Sequence, residues 1–296
     1  MRYGGAVALH DVSFAVPRGS LTGVIGPNGA GKSTLVKALC GRVPSEGAVS
    51  IAGTRLRPRR ERQHMIGLVP QSIGLYPHMS GLENLQVFAR LSGVPKPHRE
   101  ERIESALDTV RMADRAHICV GDMSGGMQRR INVAAAILHQ PPIIIFDEPT
   151  AGVDLPARDV IHRLARRLAG AGHAVLLVTH ELDQAEIICD RLIVLRGGRQ
   201  LAFSDPASLL RAHYGERREV VVRFRGPPDP HTRAALAPFD FREREHPSIW
   251  SAMTEATEVS FVSAFMSALP RPDDVVREVT VRRPGLTTFI HDLEAA

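Results

Sequence analysis

"GPNGAGKST", residues 26–34, follows an apolar run and precedes a helical pattern, and its reading decides the fold. Gly26, Gly29 and Gly31 allow backbone angles closed to other residues, so the loop through Pro27, Asn28 and Ala30 can turn successive amides inward on phosphate oxygens. A helix opening near Lys32 adds the positive end of its dipole. Lys32 is placed to reach the β- and γ-phosphates of a nucleotide and the Ser33 hydroxyl to ligate Mg²⁺, with Thr34 completing the motif. A strand, this loop and a helix in that order imply an α/β fold of the phosphate-loop type.

Further along, "IIIFDEPT" (143–150) is an apolar strand pattern ending in two acids. A buried strand that delivers Asp147 beside a phosphate loop can hold a Mg²⁺ coordination shell. Glu148 then stands where it can orient and deprotonate a water. "MSGGMQRR" (123–130) opens another helix with Ser124, Gly125 and Gly126, a second phosphate-binding helix start in one chain. One γ-phosphate does not need two such helices from the same subunit. Two copies packed head-to-tail with two-fold symmetry use both, so a homodimer is expected.

The bulk numbers bound the remainder. At 296 residues the chain can hold one large domain, or one medium and one small domain. With 44% hydrophobic and 23% charged residues it has an ordinary globular composition. Cys40, Cys119 and Cys189 lie far apart with no CxxC pair, which argues for reduced, buried thiols rather than metal or disulfide use. No stretch approaches the ~18 uninterrupted apolar residues of a membrane span. The nearest, 131–146, is broken by His139, Gln140 and two prolines. No signal-peptide pattern opens the chain, so it is not expected to cross a bilayer by itself. The net charge of +5 is uneven: from Gly215 onward 11 Arg face 13 acidic residues, net −2, which leaves +7 before it. A basic nucleic-acid patch and a solvated arginine-rich surface both fit that balance. The arginines are scattered through helical patterns, with "RPRRERQH" (57–64) the one dense cluster, so no nucleic-acid partner is expected.

Short apolar runs predict strands at about 6–16, 21–26, 48–52, 66–70, 143–147, 174–179, 191–196 and 199–203. Amphipathic stretches predict helices at about 32–41, 81–92, 99–111, 125–138, 156–169 and 181–188. The alternation argues a largely parallel sheet, interrupted by a helical insertion over about 72–138. Near "HYGERR" (213–218) the pattern restarts, and 215–296 reads as a separate small α+β domain carrying no phosphate loop.

Taken together, the motifs resemble those of the ATP-binding subunits of ABC transporters, over roughly residues 1–214. Six occur in that family's order: Walker A (26–34), the Q-loop Gln71 in "GLVPQS", the signature "MSGGMQ", Walker B (143–148), the D-loop "AGVD" ending at Asp154, and the H-loop His180 in "LLVTHE". The resemblance implies an ABC-type nucleotide-binding domain that binds ATP and Mg²⁺. It gives His180 a γ-phosphate contact, Gln71 the sensing of Mg²⁺ and the attacking water, and Asp154 a place among the ATP-binding residues. Tyr3, in "RYGGAVALHDVSF", looks like the family's adenine-stacking aromatic. Met123 and Met127 in the signature, and Ala151 to Asp154 after Walker B, follow the pattern of drug-exporter-like members. The stretch 75–91 resembles the family's segment beside the groove for a permease's coupling helix, and 282–293 the closing element of the daunorubicin-exporter-like branch. Only two residues precede Tyr3, so part of the family's first strand is expected to be missing.

The resemblance implies an ATPase on the cytoplasmic face of a membrane, powering a separately encoded permease that exports a drug or lipid-like cargo. The rival readings are a soluble ABC ATPase acting on nucleic acid or the ribosome, an inactive regulatory module, and an ABC ATPase for another cargo such as haem or polysaccharide. The long heptad insertions of DNA-repair members and the doubled cassette of translation factors are both missing here, while Lys32, Glu148 and His180 are all present.

Overall fold

The computed structural model describes every residue except 1, 4–5, 8, 45, 57–59, 245, 256–257 and 296, and it leaves aside the side chains of 2–3, 6–7, 60–61, 63, 258 and 295. The chain divides into two units, Met1–Pro206 and Ala207–Ala296.

In chain order the first unit contains β1 (Arg2–Tyr3), β2 (Ala6–Val7), β3 (Leu21–Ile25), α1 (Lys32–Leu39), β4 (Val49–Ile51), β5 (Thr54–Leu56), α2 (Arg60–Met65), β6 (Ile66–Val69) and α3 (Gly81–Leu91). It continues with α4 (Arg99–Val110), α5 (Gly125–Ile137), β7 (Ile143–Asp147), α6 (Leu155–Gly170), β8 (Ala174–Val178), α7 (Leu182–Ile188), β9 (Arg191–Arg196) and β10 (Arg199–Ser204). Six strands form the main sheet in the order β10-β9-β3-β8-β7-β6, parallel except for β10, which runs antiparallel to β9. β3 and β8 are buried at every residue, which is why they read as unbroken apolar runs: strands of a parallel sheet are covered on both faces. α1 packs on β7, α6 on β3 and β8, and α5 on β6. Leu35 and Val36 of α1 join Val24, Ile145, Leu176 and Ile193 in one core, so the helix behind the phosphate loop is fixed by apolar burial. Its C-terminal carbonyls, of Ala38 and Leu39, accept hydrogen bonds from the buried Arg62.

α3, α4 and α5 pack on one another as a helical layer. α3 starts with a capping box. Ser80 Oγ accepts from the Glu83 amide at 3.2 Å, and Glu83 Oε2 accepts from the Ser80 amide at 2.7 Å.

One expected strand is corrected here, and another is present but lies outside the main sheet. Among the described residues of the run 6–16, only β2 is a strand. His10 then makes a single bridge to Arg199, Asp11 turns into positive φ (46°), and residues 12–16 carry no ladder. The Ser13 amide instead donates to the Gln200 side chain, while Val12, Phe14 and Val16 still pack on the core. Alternation therefore reported burial without pairing. The strand near 48–52 is β4, which pairs with β5 and not with the main sheet, through a turn with positive φ at Ala52 and Gly53.

The second unit begins within α8 (Pro206–Tyr214), so the division lies eight residues earlier than the expected 214. The cause is local packing within that unit: Tyr214 is buried, its hydroxyl donates to Asp292 at 2.7 Å, and His213 stacks edge-on against Phe289. After α8 come β11 (Arg218–Phe224), α9 (Pro230–Leu236), β12 (Arg242–Glu243), β13 (Ile249–Thr254), α10 (Glu258–Ala268), α11 (Pro272–Val275), β14 (Val276–Arg282) and α12 (Leu286–Ala295). The four strands form an antiparallel sheet in the order β12-β13-β11-β14. With α9 and α10 as crossovers this is the β-α-β-β-α-β ferredoxin-like arrangement. Val220, Val222, Ala252 and Phe265 lie in its apolar core. On the alternate face, the buried Glu219 accepts from Arg282 at 2.9 Å and Thr288 at 2.8 Å. Those partners offset the cost of burying its charge.

Candidate functional site

Four of the sequence-derived motifs leave from the carboxyl ends of neighbouring parallel strands. The phosphate loop follows β3, His180 follows β8, Asp147 ends β7 with Glu148 next to it, and Gln71 follows β6. In an open parallel sheet that edge is where ligands bind.

The loop is shaped by two glycines with different tasks. Gly26 has φ 149°, and a Cβ there would sit 2.0 Å from the Leu195 carbonyl oxygen of β9. Gly29 has φ 78° with nothing within 4 Å of its Cβ position, so it borders open space. Gly31 caps α1 with φ 103°. The buried Lys32 ammonium donates to the carbonyls of Gly26 (2.7 Å) and Pro27 (3.0 Å), holding the loop around itself. Asn28, Gly29 and Ser33 are exposed, Ala30 is buried under the loop, and Thr34 is half-buried.

A measurable contrast follows. Gly26→Ala is expected to destabilise the fold by about 1–3 kcal/mol through overpacking against backbone. Gly29→Ala meets no atom, and the left-handed conformation costs it about 1–2 kcal/mol at most. Urea unfolding of the two variants checks the order; equal midpoints would show that the Leu195 carbonyl is free to move.

Gln71, Glu148 and His180 meet directly. Gln71 Nε2 donates to Glu148 Oε2 at 3.0 Å, and His180 Nδ1 lies 3.7 Å from the same oxygen. Glu148 is held in a left-handed conformation, φ 46°, while its amide donates to the Val178 carbonyl of β8 at 2.9 Å. Burial, and then the adjacent Glu148, keep the Asp147 carboxyl above its ordinary pKa. Its ionised form is under-compensated, and a bound cation would relieve it. With the Ser33 hydroxyl and the Gln71 amide oxygen, this all-oxygen donor set suits Mg²⁺.

The signature residues stand apart from that trio. Ser124 is exposed and caps α5, accepting from the Met127 amide at 3.4 Å. Gly125 faces open space, whereas a Cβ at Gly126 would approach Ala157 of α6 to 2.8 Å. Asp154 caps α6 by accepting from the Ala157 amide at 3.0 Å. Tyr3 lies in β1, and its side chain is outside the described residues.

Sequence reasoning missed three residues near the site. Arg158 donates from Nε to the Val153 carbonyl at 2.8 Å and pairs with Glu181 at 2.9 Å. His162 Nε2 lies 3.1 Å from the other Glu181 oxygen, and burial pulls its pKa below the ordinary value. The segment before Asp154 is thus tied to the residue after His180. Arg129 of α5, 2% exposed, donates to the carbonyls of Pro70 and Gln71, each at 2.7 Å.

The ABC transporter family profile matches residues 9–151. The Nod factor export ATP-binding protein I of Rhizobium sp. (strain N33) is 39% identical over 228 residues, covering 76% of this chain and 74% of that protein. The chain belongs to the ABC transporter family. It is an ABC ATPase, the ATP-binding and ATP-hydrolysing subunit of a transporter, and the fold class expected from the sequence is borne out. One solved structure similar to this ABC ATPase, an ATP-binding subunit of an ABC transporter, has TM-score 0.63 and 32% identity over 72% of this chain and 89% of its own. Another, a dimeric ATP-binding cassette in a post-hydrolysis state bound to ADP and Pi, has TM-score 0.59 and 27% identity over 69% and 94%. Among the described residues no helix of this ABC ATPase is long and apolar enough to cross a membrane.

Proposed function

We propose that two copies of this ABC ATPase close head-to-tail on two ATP molecules at the cytoplasmic face of a membrane and drive a separately encoded permease that exports a drug or lipid-like cargo. The contact of Gln71, Glu148 and His180 at the end of the phosphate-loop sheet carries this reading. In it, Tyr3 stacks on adenine, residues 26–34 hold the phosphates, and Lys32 exchanges its loop carbonyls for phosphate oxygens. Glu148 takes the proton of the attacking water while His180 holds the γ-phosphate. Ser33, Asp147 and Gln71 would hold Mg²⁺, which when bound neutralises charge developing on the transferred phosphoryl group. Ser124, Gly125 and Gly126 of the opposite copy present their helix start to the same phosphate, with Asp154 beside that interface.

The exporter assignment, to the daunorubicin- and multidrug-like branch, is supported by Met123 and Met127 in the signature and by a relative named for Nod factor export. Its test is purification from membranes with the permease encoded by the neighbouring reading frame. ATPase activity stimulated by that permease in lipid vesicles is expected. Retention of nucleic acid or ribosomes in place of a membrane protein would overturn the reading.

The second unit carries no phosphate loop, and in this reading it serves the dimer or the permease. Removing residues 207–296 is expected to leave ATP affinity within about threefold. A tenfold loss, about 1.4 kcal/mol, measured by nucleotide titration, would assign the unit a part in ATP binding.

A further inference from the structure

Arg129 is a charge where the pattern calls for an apolar residue. On α5 it precedes a buried run, Ile131 to Ile137, and at 2% exposure it is as deep as its neighbours. It forms no ion pair with a carboxylate among the described residues, and its Nε is buried with no hydrogen-bond partner there. A buried unpaired cation is costly, and a fold retains one where its geometry is needed. What this guanidinium does have is a two-pronged grip on consecutive carbonyls, Pro70 and Gln71, both at 2.7 Å. A planar fork of this kind fixes direction as well as distance, which an ammonium cannot do.

The two ends of that grip matter. Gln71 reaches Glu148 through its side chain, while α5 is capped by Ser124, five residues before Arg129. We propose that Arg129 is a positioning residue for ATP hydrolysis: its guanidinium holds the Gln71 backbone to the signature helix, so that the Gln71 amide stays aimed at the hydrolytic carboxylate and moves together with Ser124. The inference rests on the reading of Gln71 and Ser124 given above. Arg129 touches no reacting atom, and it acts through Gln71.

The test compares Arg129→Lys, which keeps the charge and loses the fork, with Arg129→Met, which fills the same space without charge. ATP affinity, kcat, KM and thermal midpoint are measured on the full chain, together with Gln71→Ala and the double variant Gln71→Ala/Arg129→Lys. Both Arg129 variants are expected to bind ATP within twofold of wild type while kcat falls at least tenfold at nearly unchanged KM. Arg129→Met should match wild type in thermal midpoint, since an apolar replacement of a buried ion is often neutral or stabilising. The double variant should be no slower than Gln71→Ala alone. Reduced turnover in Gln71→Ala with wild-type turnover in both Arg129 variants overturns the inference and leaves the Gln71 reading intact. Wild-type turnover in Gln71→Ala overturns both. Multiplying defects in the double variant, or failure of both Arg129 variants to fold, assigns Arg129 to core structure alone and likewise overturns it.

Discussion

Glu148→Gln is expected to bind ATP as tightly as the wild-type chain and to hydrolyse it about 10²–10⁴-fold more slowly. The amide has the shape of the carboxylate and keeps an oxygen acceptor for Gln71, which stands 3.0 Å away, but it cannot take a proton from water. The neighbouring Asp147 retains its place at the end of β7, so nucleotide affinity should be spared. ATP-loaded Glu148→Gln should therefore accumulate as a dimer on size exclusion, and single-turnover assays should show no release of phosphate on the wild-type timescale. Hydrolysis at the wild-type rate would remove Glu148 from its role as base and shift attention to His180, which lies 3.7 Å from it.

The second large effect concerns assembly. Lys32→Ala removes the loop cation, and Ser124→Arg blocks the start of α5. Each variant alone should be inactive, because every site in its homodimer is broken. Mixed, the heterodimer gathers both defects in one site and leaves the other whole. With random pairing half the dimers are mixed and each carries one of two sites, so activity should recover to at most about a quarter of wild type. Ser124 stands outside the Gln71–Glu148–His180 contact in its own chain, which is what makes the result informative. No recovery, with subunit exchange shown by labelled chains and with one intact site shown able to fire alone, would exclude a site shared head-to-tail.

How legible these features were depended on how local their causes are. The phosphate loop is written in glycines whose angles are strained for any other residue, and β3 and β8 are written in continuous apolar runs because both faces are covered. Gln71, Glu148 and His180 were each readable as a polar residue at a strand end; their contact depends on the order β8-β7-β6, which no single strand encodes. Residues 12–16 alternate like a strand yet carry no ladder, since period-two burial needs a face but not a neighbour. α8 leaves little local signal because its partners, Phe289 and Asp292, are nearly 80 residues downstream. Arg129 did leave a trace. It lies four residues before Val133 and eight before Ile137, on the stripe of α5 that should be uniformly apolar, and a charge on such a stripe marks a site worth locating.

Glu148 sits at φ 46° with its amide tied to Val178. A left-handed backbone costs an ordinary L-residue about 1–2 kcal/mol; glycine escapes that cost and asparagine escapes much of it. Either would make the end of β7 more comfortable, and neither can accept a proton from water. Under the proposed role of Glu148, stability and turnover therefore make opposite demands on this residue. A descendant released from hydrolysis and kept only for holding nucleotide would be free to drift toward glycine or asparagine there. In the role proposed for Glu148, the acid at this position carries backbone strain in exchange for a proton acceptor.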